Sequence, residues 1–187
     1  MVLVLGLVLF LGIHLVPAVP PLRTAVIGGL GEARYKGLFS LASAAGLVLI
    51  VLGYLWSGPR EPLFAPVAAA KAIAPAAMVV SFILFAAANM RGHLRRLLVH
   101  PMLLGLLIWS GVHFLANGDR TGSILFGAFF VYGAIDLGSA IARGARKAFA
   151  PQAKFDAMAV VGGIVVTVVV MALHRVLFGV PVASFGF

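Results

Sequence analysis

Six apolar runs, each roughly twenty residues long and almost free of charge, constrain this chain more than anything else in it. An α-helix rises about 1.5 Å per residue, so roughly twenty apolar residues cross a hydrocarbon core of about 30 Å. The runs fall at approximately 1–19, 38–56, 72–90, 100–117, 121–142 and 157–178. The fold class they predict is all-α: a polytopic membrane helical bundle of about six transmembrane helices, with residues 1–187 forming a single domain. The first run is broken only by His14 and ended by Pro17, Pro20 and Pro21. It lacks the basic leader and small-residue cleavage site of a secretory signal and is expected to stay as the first helix. The fourth is the shortest, so it takes in His100 and Asn117 or lies where the bilayer thins.

With 63% hydrophobic and 10% charged residues, the chain lies far from a soluble domain, which is near 45–50% apolar and about 25% charged. Its net charge of +9 does not form a nucleic-acid-binding face, because the basic residues sit in short clusters between apolar runs. Ten of the fourteen lie in alternate connections: Arg23, Arg34 and Lys36; then Arg91, Arg95 and Arg96; then Arg143, Arg146, Lys147 and Lys154. The positive-inside rule places those connections in the cytoplasm. In a bacterium this is a multi-pass inner-membrane protein with both termini in the periplasm, and its first partner is the lipid bilayer. There are no cysteines, which excludes disulfides, thiolate metal sites and covalent c-type haem. Zinc-peptidase, α/β-hydrolase and P-loop motifs are absent, and no catalytic residue is singled out.

Chemistry therefore falls to the histidines. The run HPMLLGLLIWSGVHFLANGD, 100–119, has one at its start and one a turn before its end. His100 precedes Pro101, a residue suited to the first helical position, and reads chiefly as a helix start. His113, within an apolar run, needs a partner, as does His14. A neutral imidazole is a good axial ligand for haem iron, and two ligands on one iron must lie at nearly the same depth. His100 and His113 are about 20 Å apart along one helix and cannot share an iron. His113 and His174 each stand four residues from an outer helix end, so depth matches them, whereas His14 and His113 are offset by roughly half a bilayer. His93, in RGHLRRLLVH, reads as part of a basic amphipathic turn at the headgroups.

The other polar residues have simpler assignments. Glu32 either pairs with a basic neighbour to hold the first connection, or its cluster binds an anionic group such as a haem propionate or a lipid phosphate. Asp136 either takes part in a proton relay or snorkels toward Arg143, Arg146 and Lys147. Asp119 and Asn117 stabilise the NGD turn. Trp56, Tyr54 and Trp109 read as headgroup anchors. Ala42 and Gly46, Ala134 and Gly138, and Gly162-Gly163 are small enough to let helices approach closely.

Taken together, LFLGIHLV (Phe10, His14), GEARYKGLFSLASAAGLVLI (Gly31, Glu32, Tyr35, Gly37), HPMLLGLLIWSGVHFLANGD and LHRVLFGV (His174, Gly179) resemble the NnrU family of polytopic membrane proteins. The resemblance implies an association with nitrite and nitric oxide reduction, and thus with respiratory reductase components as partners. A relative of that family, 15-cis-zeta-carotene isomerase, uses a histidine-held haem b, which implies haem b as the cofactor here. Carried over by motif, the iron ligands fall on His14 and His113, and His100 matches the HPM position. The resemblance thus pairs His113 with His14, where depth pairs it with His174. Three roles follow: a haem b protein of denitrification, a haem-dependent isomerase of a carotenoid-like polyene, and a non-catalytic assembly factor for a respiratory reductase.

Overall fold

The computed structural model describes residues 1–144, 146, 148–180 and 182; Lys147, counted above among the basic residues, lies outside them. Among the described residues there are helices and no strand, only an isolated bridge between Pro62 and Asp119. The chain forms two compact units, 1–61 and 62–187.

The first unit contains α1 (Val2–Ala18), α2 (Pro20–Leu30) and α3 (Glu32–Leu55). Helices α1 and α3 pack through glycines. A Cβ on Gly6 would lie 2.6 Å from the Ile50 nitrogen, one on Gly46 would lie 2.8 Å from the Phe10 nitrogen, and Gly53 abuts the Leu3 backbone. In lipid, where apolar area alone does not favour one helix contact over another, such close backbone approach is what holds helices together. The first helix passes through Pro17 and stops at Val19 instead (φ −116°, ψ 92°). Pro20 drives Val19 out of the helical region, and the chain bends by 99° into α2. The first connection, expected to be held by Glu32, is thus largely helical.

The second unit contains α4 (Ala68–Ala87), α5 (His93–Leu98), α6 (Pro101–Asn117), α7 (Arg120–Ala142) and α8 (Ala153–Phe178). Helix α4 lies between α6 and α8, and α7 packs on α6. Residue pairings set the directions. Ser81 donates to the Gly105 carbonyl and Val67 to that of Leu115, so α6 runs antiparallel to α4. Gly163 abuts Ile83, and the Asp156 carboxylate meets His93 and Leu94, so α8 is antiparallel to α4 as well. Thr167, Ser81 and Ser110 are the largest fully buried side chains, whereas Val131, Ile135, Val161, Val165 and Val168 are exposed. Small hydroxyl residues inside and branched apolar residues outside are the arrangement a bilayer favours.

Helices α3, α4, α7 and α8 are each long and apolar enough to cross a membrane, and the bent α1–α2 pair is a fifth candidate. Of the six spans expected, α1 and α6 are each seventeen residues, and α1 reaches spanning length only together with α2 across the bend. Helix α6 begins at Pro101 and closes on Gly118, whose φ of 69° favours glycine. Asp119 then caps α7, its Oδ1 accepting from the Gly122 nitrogen at 2.8 Å. The segment before α4 is tied to this turn, with Leu63 and Phe64 N–H groups donating to the Gly118 carbonyl.

Candidate functional site

His113 sits in the last turn and a half of α6, where Nδ1 is 2.8 Å from the Trp109 carbonyl one turn earlier. A carbonyl oxygen only accepts, so Nδ1 carries the hydrogen and the neutral ring keeps its lone pair on Nε2. This is how iron- and zinc-binding histidines are oriented by their outer shell. The ring stacks at 4.7 Å on Phe126 of α7 and lies 5.4 Å from Trp109, which meets Phe126 and Phe129 edge-on at 5.1 and 5.5 Å. Helix α7 thus supplies an aromatic wall beside an imidazole presented from α6.

His174 occupies the last turn of α8. Gly179, at φ 70°, folds the chain back so that the Val180 carbonyl lies 2.8 Å from His174 Nδ1, which again leaves the lone pair on Nε2. Phe178 flanks the ring at 4.9 Å. Both histidines fall level with the first turns of α4, because Leu115 meets Val67 on one side and Thr167 meets Met78 on the other. At this level α4, which packs against both α6 and α8, carries AAAKAIAPAA, 68–77. Lys71 and Arg175 supply positive charge at this end of the unit.

In the first unit, His14 Nδ1 lies 2.7 Å from the Phe10 carbonyl, the same tautomer-fixing bond, and the ring is held between Phe10 at 4.3 Å and Phe39 at 5.0 Å. Glu32 pairs with Lys36 at 2.8 Å, as one of the two readings of that cluster expects. His14 and His113 belong to different compact units. His100 caps α6 with its carbonyl, accepting from Leu103 and Leu104, at the opposite end of the helix from His113. His93 lies beside it at that end, with Nδ1 2.7 Å from Asp156 Oδ2. Asp136 accepts from the Tyr132 hydroxyl at 3.2 Å, and Arg143 donates to Ser139.

Sequence reasoning missed the aromatic wall and the Val180 carbonyl. Trp109 stands one turn before His113, and that spacing is the signal that could have found its role; Phe126 comes from another helix and leaves no such trace. Among the described residues, no three His, Asp or Glu side chains come together as a metal-binding group. A porphyrin brings four nitrogens of its own and asks the protein for only one or two imidazoles, which this donor set can supply.

A model of the NnrU family, described as NnrU protein, matches residues 2–182. The curated proteins and the solved structures return no match.

Proposed function

Because the chain belongs to the NnrU family, a family of membrane proteins, we propose that it binds haem b and serves nitrite and nitric oxide reduction in the bacterial inner membrane. One observation carries the haem assignment. Two imidazoles at one level of the second unit each have Nδ1 committed to a backbone carbonyl, which leaves the lone pair of each on Nε2. His113 and His174 would hold the haem iron through Nε2. Trp109, Phe126 and Phe129 give the apolar wall a porphyrin face needs, and Lys71 and Arg175 the charge for its propionates. When bound, haem b supplies one-electron chemistry. The protein's own part is to fix ring orientation, exclude water and set ligand basicity through the two carbonyl bonds.

The test is the absorption spectrum of detergent-purified protein from haem-supplemented cells, oxidised and then reduced with dithionite. A Soret band with a sharpened α-band on reduction is the expected result, and a colourless preparation contradicts it. His174→Ala is expected to convert a six-coordinate spectrum to a five-coordinate one, while His14→Ala leaves it unchanged. The reverse pattern would move the second ligand to His14, the pairing the family resemblance implies.

A further inference from the structure

At the end of the second unit remote from His113 and His174, an open cleft of about 730 Å³ lies between α5, the start of α8 and the connection carrying Arg146. Its walls include His93, Arg96, Leu97, Arg146, Asp156 and Val160. Asp156 is satisfied within the fold: Oδ2 accepts from the His93 nitrogen at 2.8 Å and from His93 Nδ1 at 2.7 Å, and Oδ1 accepts from the Leu94 nitrogen at 2.9 Å. Gly92 is in contact with the same carboxylate, leaving no room for a Cβ. The surrounding chain is fixed in turn. Gln152 donates to the Arg91 carbonyl at 3.0 Å, and the Arg95 guanidinium lies over Phe149 at 5.5 Å.

Asp156 thus spends its charge on three N–H groups, and the guanidinium groups of Arg96 and Arg146 have no acidic or hydrogen-bonding partner among the described residues. Leu97, beside them, is 79% exposed although it is a large apolar side chain. The cleft therefore offers two unpaired guanidinium groups at its polar side and Leu97 and Val160 at its apolar side. It sits where α8, a helix of membrane-spanning length, begins. We infer that this cleft binds one anionic phospholipid, with the phosphodiester held by Arg96 and Arg146 and the upper acyl chain lying along Leu97 and Val160. Charge complementarity selects the anionic headgroup, and the exposed leucine calls for a tail, which a free phosphate does not have. The bound lipid fixes α5 and the start of α8 at the headgroup level.

The experiment titrates the full chain in non-ionic detergent with phosphatidylglycerol and, separately, phosphatidylcholine, and reads bound lipid by native mass spectrometry. Phosphatidylglycerol is expected to bind and phosphatidylcholine not to. In Arg96→Gln/Arg146→Gln the affinity for phosphatidylglycerol falls about thirty-fold, at roughly one charge's worth of surface attraction per arginine. Arg23→Gln, in the other unit, keeps full affinity. Should the double variant fail to fold by circular dichroism, Leu97→Gln carries the same test and is expected to weaken binding. Equal binding of the two lipids, or unchanged affinity in the variant that folds, overturns the inference. Displacement of the lipid by excess inorganic phosphate also overturns it, by making a soluble anion the ligand.

Discussion

The histidines show how far a single residue can be read from its neighbours in sequence. Their positions relative to helix ends match His113 with His174 in depth, and the pairings of α4 with α6 and α8 put both histidines level with the first turns of α4. The tautomers were not legible in the same way. For His113 and His14 the carbonyl lies one turn back on the same helix, but for His174 it comes from Val180, beyond the helix end. That bond depends on the left-handed Gly179, which a sequence marks as a stop without giving the direction of the returning chain. Asp119 is a different case: the sequence reads it as a stabiliser of the NGD turn, and the structure shows that it caps α7 by accepting from the Gly122 N–H. Asp119→Ala is expected to lower stability by about 1 kcal/mol, seen as an earlier thermal unfolding transition in detergent, whereas Asp119→Asn keeps most of that stability. Equal transitions for wild type and Asp119→Ala would show that the Gly122 bond is worth nothing to the fold.

Helix existence was legible because apolar run length is itself the signal, and α3, α4, α7 and α8 stand close to their expected places. Each of these helices begins before its apolar run does, α3 at Glu32 and α8 at Ala153, because polar residues near the surface continue a helix that hydropathy alone does not count. Which small residues mark contacts was not legible. Gly46 lies on Phe10 and Gly163 on Ile83, but Gly138 and Gly162 meet open space. The adjacent pair on α8 separates the two cases cleanly. A Cβ at Gly163 would lie 2.6 Å from both the nitrogen and the Cα of Ile83, and backbone cannot yield as a flexible side chain can. Gly163→Ala is therefore expected to cost about 1–3 kcal/mol by forcing α8 away from α4, and Gly162→Ala to be neutral or slightly stabilising. Denaturation of the two variants in matched micelles checks this, and equal stabilities would contradict the close approach.

For the whole molecule, composition was enough to assign an all-α membrane protein, and charge distribution predicts an orientation, which helix packing alone does not. The absence of cysteine makes that orientation directly measurable, since any introduced thiol is unique. Leu97→Cys, in a basic connection, is expected to react with a membrane-impermeant maleimide only after cells are opened, and Ser57→Cys in intact spheroplasts. The opposite labelling would invert the topology. The central proposal is that His113, oriented by the Trp109 carbonyl and walled by Phe126, would hold the iron of haem b. The most direct measurement is the reduced spectrum of His113→Gly, with and without added imidazole, beside that of the wild type. Loss of the haem b spectrum in the variant and its return with imidazole is the predicted result. A variant that keeps the wild-type spectrum without imidazole would contradict the claim.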